Sequence, residues 1–198
     1  MYKKIFLRLT SMILLISSVG IAQAVVIVNV VPSASKVDIG EQLDVDIVVS
    51  GGLEGNEALG AFDLRLVYNP NLLGFTDLVF GDQLDLFGLG SITGFSEDPS
   101  PAVGAVSIFE VSLDSITDLE TLQEDSFTLV TLSFIGLSPG LSPLHLPASD
   151  IVLSNARGVE IPAVAHSALV HVPEPATIAL FTLGLIGVGF TKRSKRSY

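Results

Sequence analysis

The stretch that decides the fold runs from Gly60 to Leu73 and reads G-A-F-D-L-R-L-V-Y-N-P-N-L-L. Its large apolar side chains recur at every second position: Phe62, Leu64, Leu66 and Tyr68. Successive side chains of a β-strand point to opposite faces, so this period places all four on one face. The Asn-Pro pair that follows is typical of a turn. The stretch therefore predicts a half-buried strand whose apolar face packs on a core.

Similar segments recur on both sides of this strand. Alternating or β-branched runs bounded by Gly, Pro and Asn predict strands at 25–31, 42–50, 59–68, 73–80, 91–95, 102–113, 127–137, 145–153 and 159–172. The first run is almost continuously apolar, which predicts burial on both faces. A brief helical turn is predicted over 117–123. About nine short strands predict an all-β fold, an antiparallel β-sandwich or jelly roll.

Composition excludes several kinds of site. The 198 residues include no cysteine and no tryptophan, so disulfides, thiolate metal centres and thiol nucleophiles are excluded. The net charge is −11, and residues 25 to 172 contain twenty acidic residues but only three basic ones, Lys36, Arg65 and Arg157. Such a body repels nucleic acid and anionic lipid. Its acidity can serve solubility, or attract divalent or basic partners.

The N-terminus has the parts of a secretory signal peptide. Basic residues precede the apolar run at 12–16, and small residues lead to Ala22-Gln23-Ala24, an A-x-A cleavage pattern. We therefore expect a signal peptide at 1–24 and cleavage after Ala24. A retained membrane anchor is the alternative, but the apolar run is short for a membrane span, which needs about 20 residues.

The C-terminus, residues 173–198, has the order of a stop-transfer segment. Pro173, Glu174 and Pro175 precede an uncharged apolar stretch at 176–190. A basic cluster then follows: Lys192, Arg193, Lys195 and Arg196. Basic residues beside a span stay cytoplasmic, which predicts a transmembrane helix with the body outside and this anchor inside.

This order resembles the PEP-CTERM sorting signal of bacteria that secrete exopolysaccharide. The resemblance covers the last 26 residues and rests on the combination of Pro173-Glu174-Pro175, the span and the basic cluster. It implies an exosortase-type membrane protease as a partner, which would cut near the motif and release the body. The expected location is a membrane-anchored precursor, then the cell surface or extracellular matrix.

The body, residues 25–172, resembles cohesin domains. These show a G-a-F-x-L-x-L-x-Y-D-P-x-x-L stretch, which 60–73 follows with Asn69 in place of Asp. A T-L-x-F strand matches 131–134, and an L-x-x-x-x-G segment matches 153–158. The resemblance implies a non-catalytic sandwich, similar to carbohydrate-binding modules, that binds a dockerin-like protein through one sheet face. The motif itself is a core face and a turn, so it marks no active site.

No catalytic constellation stands out. His166 and His171 are five apart, so on one strand they would point to opposite faces, and His145 lies between two prolines. No metal site or cofactor is expected, although calcium is an open possibility. Its candidate carboxylates are Asp44 with Asp46, Asp82 with Asp85, Glu97 with Asp98, and Glu124 with Asp125. None follows a calcium-loop pattern, and a solvated acidic face is the alternative.

The apolar segment 81–90 leaves two interpretations open. It covers the core, which we favour, or presents Leu86, Phe87 and Leu89 as a contact patch.

For function, the leading hypothesis is a non-catalytic surface module that contacts a protein partner or polysaccharide. The alternatives are an acidic matrix protein without a discrete site and, remotely, a glycan-acting enzyme that uses two carboxylates.

Overall fold

The computed structural model describes residues 25–53, 57–98 and 103–175, and these ranges form a β-sandwich. The strands are β1 Val26–Pro32, β2 Gln42–Ser50, β3 Leu59–Tyr68, β4 Leu73–Phe80, β5 Ile92–Asp98, β6 Gly104–Val111, β7 Ser126–Gly136, β8 Gly140–Leu144, β9 Ile151–Asn155, β10 Glu160–Ile161, β11 Ala163–His166 and β12 Ala168–Val172. One short helix, α1 Ile116–Leu122, precedes β7, and a 3₁₀ turn at Ala148–Asp150 precedes β9.

Two five-stranded sheets face each other. The first sheet has the order β11-β1-β2-β7-β4, and the second sheet has the order β10-β9-β3-β6-β5. A two-stranded sheet of β12 and β8 lies beside them. All pairs are antiparallel except β1 with β11, which is parallel. The predicted all-β sandwich is therefore confirmed.

The core lies between the two sheets and consists of the alternating side chains that the sequence indicated. Phe62, Leu64, Leu66 and Tyr68 of β3 are all buried. At the centre, the fully buried Phe134 of β7 stacks edge-on against Tyr68, with ring centroids 5.1 Å apart. Because there is no disulfide to restrain the chain, this apolar packing has to supply most of the stability.

Several predicted strand bounds are wrong. β1 is buried on one face only, because it belongs to one of two outer layers and not to a central one: Val26, Val28 and Val30 are buried, whereas the residues between them are not. The predicted strand 145–153 begins only at Ile151, after the 3₁₀ turn. The predicted strand 159–172 is divided into β10, β11 and β12, which pair with three different strands. The prediction of about nine strands was therefore low, since the described residues hold twelve.

Two further differences have a clear cause. β5 continues to Asp98, through a predicted loop, because Glu97 and Asp98 pair with Val106 and Ala105 of β6, and Glu97 also accepts a hydrogen bond from the Tyr68 hydroxyl at 3.0 Å. β8 was missed because it contains Pro143, which has no N–H to donate. Proline is tolerated here because β8 is an edge strand that pairs only with β12.

The two ends of the chain remain predictions. The signal peptide, Ala22 and Ala24, the C-terminal apolar helix and its basic anchor lie outside the described residues. Within 25–53, 57–98 and 103–175, no helix is long and apolar enough to cross a membrane. The body ends in β12, whose last residue Val172 is fully buried, and Pro173 follows directly.

Candidate functional site

The outer face of the second sheet carries a cluster of exposed apolar side chains. Strand pairing aligns them in two rows across β5, β6, β3 and β9: Ile92, Val111, Ala61 and Ser154 in one, and Gly94, Phe109, Asp63 and Val152 in the other. We call these eight residues the apolar face. Its large members Ile92, Phe109, Val111 and Val152 are 38–53% exposed. Strands that turn one face to a core usually place polar residues on the other, so this cluster is unusual.

A shallow depression of about 210 Å³ lies within the apolar face. Ala61 is the smallest of the side chains that line it, and Phe109, Val111 and Val152 stand around it. The Phe109 ring lies over Gly94. A Cβ added at this glycine would come within 2.5 Å of the ring. The absence of a side chain at Gly94 of β5 thus leaves the space that the Phe109 ring occupies, and Phe109 is one of the residues that line the depression.

The charges beside this depression are of two kinds. Asp63 is exposed, and no described Lys or Arg forms an ion pair with it. Arg65, two residues further along β3, lies 3.8 Å from Asp98 and 3.9 Å from Asp150. Solvent screens these half-exposed pairs, so they contribute little to stability. The local charge is therefore negative, with one carboxylate beside an apolar depression.

The outer face of the first sheet carries polar side chains that bond to each other, beside the exposed Val31, Val79 and Val164. Asp44 and Asp46 lie on this face together, as predicted. Asp44 accepts hydrogen bonds from Gln42 at 2.9 Å and Ser133 at 2.7 Å, and Asp46 accepts one from Thr131 at 2.6 Å. The bonds from Gln42 and Ser133 lower the pKa of Asp44 and outweigh the effect of desolvation. These carboxylates are thus engaged by neutral donors of their own sheet.

The other candidate calcium ligands do not converge. Among the described residues, no group of three or more His, Asp or Glu side chains could hold a metal ion. Asp46, Asp82 and Glu124, which the sequence placed in separate pairs, line one open depression of about 650 Å³ at the β4 edge. Glu97 is bonded to Tyr68, away from this depression.

Comparison with solved structures identifies the fold of the body. A type II cohesin domain from the cellulosome of Acetivibrio cellulolyticus matches with a TM-score of 0.58 and 17% identity, over 74% of this chain and 95% of that chain. A type I cohesin–dockerin complex from Clostridium thermocellum matches with a TM-score of 0.56 and 12% identity, over 73% and 98%. A non-cellulosomal cohesin from Archaeoglobus fulgidus matches with a TM-score of 0.50 and 14% identity, over 77% and 93%.

The body has a cohesin-like fold. At these identities the likeness shows the fold alone, and no curated protein sequence matches the chain. Residues 171–194 match the PEP-CTERM protein-sorting motif, which indicates an exported protein with a membrane-anchored C-terminal signal. That range includes Pro173, Glu174 and Pro175, and the role of each of them stays a prediction.

The three histidines of the cohesin-like body lie apart. His166 is in β11 with Nδ1 3.0 Å from Asn29 Oδ1, and His145 Nδ1 is 2.8 Å from the Ser167 hydroxyl. His171 is in β12. The expectation that His166 and His171 share a strand is wrong, because the chain turns between them.

The segment 81–90 does both of the things that the sequence left open. Leu84 is buried and covers the core, whereas Phe87 and Leu89 are 53% and 84% exposed. Core cover is therefore right for Leu84 and wrong for these two residues. The half-buried Gln123 side chain donates a hydrogen bond to the Gln83 carbonyl at 3.0 Å, which helps to hold the segment in place.

Sequence reasoning missed one unusual residue, Glu110 of β6. Its side chain faces the interior and is 1% exposed. Ser91 donates to Oε1 at 2.6 Å, and Oε2 has no hydrogen-bond partner among the described residues. Burial raises the pKa of Glu110; the Ser91 bond opposes this, and the charge of Asp85 adds to it. The alternation along β6 could have revealed it, because Glu110 lies on the same side of the strand as the buried Val106 and Ile108.

Proposed function

We propose that this protein is a non-catalytic, exported module that binds a protein partner through the apolar face. The observation that carries the proposal is that Ile92, Phe109, Val111 and Val152 are exposed next to one another on the outer face of the second sheet. A monomeric surface rarely keeps such a contiguous apolar area unless another molecule covers it. The cohesin-like fold supports a binding role, since three of the matching structures are cohesins in complex with a dockerin by description.

The chemistry of the face indicates what kind of partner fits. Its depression is shallow and open, which suits a convex apolar surface such as the side of a helix more than an enclosed small molecule. Asp63 stands at this depression without a basic partner among the described residues. The partner is therefore expected to combine an apolar stripe with a Lys or Arg that approaches Asp63.

Polysaccharide binding is the weaker form of the proposal. Two aromatic side chains line the depression, and Phe109 is the exposed one that a sugar could contact, because Phe62 is buried. The acidic-matrix alternative rests on the first sheet, whose outer carboxylates form bonds within their own sheet and offer only bulk charge.

Export and release complete the proposal. The sorting motif begins at residue 171, inside β12, and its Pro-Glu-Pro follows the buried Val172 without any linker. β12 is held by β8 and by backbone bonds between His171 and residues 35 and 37. A protease that needs an extended substrate would therefore cut at or after Pro173, and the released protein would keep its whole fold and be displayed at the surface.

Two matched variants test the binding proposal. Val152→Asp alters the apolar face, and Val164→Asp alters an equally exposed valine, 51% against 50%, in β11 of the first sheet. A partner is captured from the extracellular fraction of producing cells, purified and titrated. We expect Val152→Asp to weaken binding about tenfold or more, because a buried apolar side chain contributes roughly 1.5 kcal/mol.

The control variant, Val164→Asp, should bind as the unaltered chain does. Equal loss in both variants would contradict the assignment of the face. The absence of any saturable partner, protein or polysaccharide, would favour the acidic-matrix alternative.

A further inference from the structure

The β4–β5 loop, residues 81–91, donates hydrogen bonds to three carboxylates, of which those of Glu110 and Asp114 belong to the body and that of Asp85 to the loop itself. Three donors of this loop reach three acidic side chains: Gly90 N to Asp85 Oδ1 at 2.9 Å, Leu86 N to Asp114 Oδ2 at 2.8 Å, and Ser91 Oγ to Glu110 Oε1 at 2.6 Å. Each bond satisfies the donor but leaves the carboxylate with its full charge. The loop therefore gathers negative charge around an apolar interior in which Leu84 is buried.

Glu110 is the member of this group that most needs a further partner. It is 1% exposed, and its Oε2 has no hydrogen-bond partner among the described residues. A buried carboxylate without a counter-charge is costly, so such groups in proteins are paired, protonated or bound to a metal ion. Asp85 adds to the problem, because its charge acts on Glu110 and raises the pKa of that group further.

None of the ion pairs in the described ranges supplies the missing positive charge. Arg65 pairs with Asp98 and Asp150 on the outer face of the second sheet. Arg157 is 2.6 Å from Glu120 of α1, and Lys36 stands opposite His171 beside β12. These three are the basic residues between positions 25 and 175. No basic side chain of the described residues forms an ion pair with Glu110, so a cation from solution is a candidate source of the positive charge.

We propose that one Ca²⁺ ion binds beneath the β4–β5 loop, between Glu110 Oε2 and the carboxylate of Asp85. Both groups are hard oxygen ligands, as Ca²⁺ requires, and binding through Oε2 leaves the Ser91 bond to Oε1 intact. Since no third acidic side chain converges on this point, water and backbone carbonyls complete the coordination.

A site with two carboxylates is expected to be weak. A Kd of about 10⁻⁴–10⁻³ M is typical of extracellular calcium modules, and it matches a protein that meets Ca²⁺ only after export. The ion holds the loop, and with it the exposed Phe87 and Leu89 at its tip, in one position.

The alternative is a proton on Glu110, and calorimetry separates the two. CaCl₂ is titrated into the full chain in neutral detergent at pH 7.5, with MgCl₂ and a matched NaCl series as controls. We expect one Ca²⁺ per chain, a melting temperature that rises with CaCl₂ but not with NaCl, and weaker binding of Mg²⁺, which demands a stricter geometry. Absence of calcium binding at about 10 mM in the unaltered chain overturns the proposal.

Two isosteric variants assign the site. Glu110→Gln and Asp85→Asn keep the acceptor oxygens for Ser91 and Gly90 but remove the charges. Each is expected to weaken Ca²⁺ binding about tenfold or more, whereas Glu41→Gln, an exposed carboxylate in the β1–β2 turn, leaves the Kd unchanged.

An unchanged Kd in Glu110→Gln refutes the assignment. A second result also refutes the assignment: the unaltered chain shows no response to calcium, and Glu110→Gln melts at a higher temperature than the unaltered chain. Glu110 is then simply protonated. Circular dichroism without calcium shows whether each variant folds. If Glu110→Gln does not fold, Asp85→Asn alone decides, and an unchanged Kd in it overturns the proposal.

Discussion

Truncation of one phenylalanine in each sheet tests which surface is core and which is free. Phe134 of β7 is fully buried and stacks edge-on against Tyr68 and Phe75, at centroid distances of 5.1 and 5.9 Å. Phe109 of β6 is 40% exposed on the apolar face. The substitutions Phe134→Ala and Phe109→Ala remove the same atoms from these two environments.

The structure sets the expected magnitudes. Truncation of a buried phenylalanine to alanine leaves a cavity and lowers the free energy of unfolding by about 3–5 kcal/mol. The two aromatic contacts of Phe134 place its truncation toward the upper end of that range. Phe109→Ala should cost about 1 kcal/mol or less, because much of its ring is already in water. The free energy of unfolding of an ordinary domain is about 5–15 kcal/mol, so Phe134→Ala removes a large fraction of it.

Urea unfolding followed by circular dichroism measures the difference. With a slope of about 2 kcal/mol/M, Phe134→Ala should lower the midpoint by roughly 2 M and Phe109→Ala by about 0.5 M or less. The absence of cysteine makes the transition free of disulfide exchange. A Phe109→Ala variant as unstable as Phe134→Ala would refute the reasoning, because the apolar face would then be part of the protein's own core.

Two further predictions concern the sorting tail and the first sheet. Replacement of 173–175 by alanines should leave the protein membrane-retained and larger; intact mass after cell fractionation checks this, and unchanged release would contradict the sorting role of the motif. The substitution Ser133→Ala should raise the pKa of Asp44 toward its ordinary value, since a donor that favours the charged form is lost. A carboxyl group whose pKa is lower in the folded state stabilises the fold at pH values above its unfolded-state pKa, and this stabilisation is lost as the pH falls. The variant should therefore lose less stability than the unaltered chain on acidification below about pH 4. An NMR titration that finds the same pKa in both proteins would contradict the assigned cause.

The elements that sequence predicted well are those whose two faces meet different surroundings. β2 and β3 have the predicted bounds because their apolar residues alternate and because turn residues flank them, and β4 has the predicted bounds although a bulge after Phe75 interrupts its alternation. The pattern fails where neighbouring segments are short and exchange partners. Between 140 and 172 the chain changes sheets several times, and local alternation does not record which strand is the neighbour.

The apolar face could not be predicted for a related reason. Phe109 and Val152 come from strands more than 40 residues apart, and they meet only because both pair with Asp63 of β3. A slip of one residue in either pairing would turn one of them inward. Sequence alone identifies Phe109 as out of phase with the buried side of β6, but the register that gathers it with Val152 is a property of the fold.

The contrast between the two outer faces is the strongest reason to expect a one-sided module. On the first sheet, the carboxylates that repel one another are held by hydroxyl and amide donors of adjacent strands, as with Asp46 and Thr131. A partner that docked there would have to break those bonds and would gain little apolar burial. On the second sheet, Ala61, Phe109 and Val152 have apolar side chains, and Asp63 forms no ion pair with any basic residue of the described ranges. Desolvation of the second sheet therefore breaks fewer bonds and buries more apolar surface. A binding partner should select that face even if the partner's surface has no marked specificity.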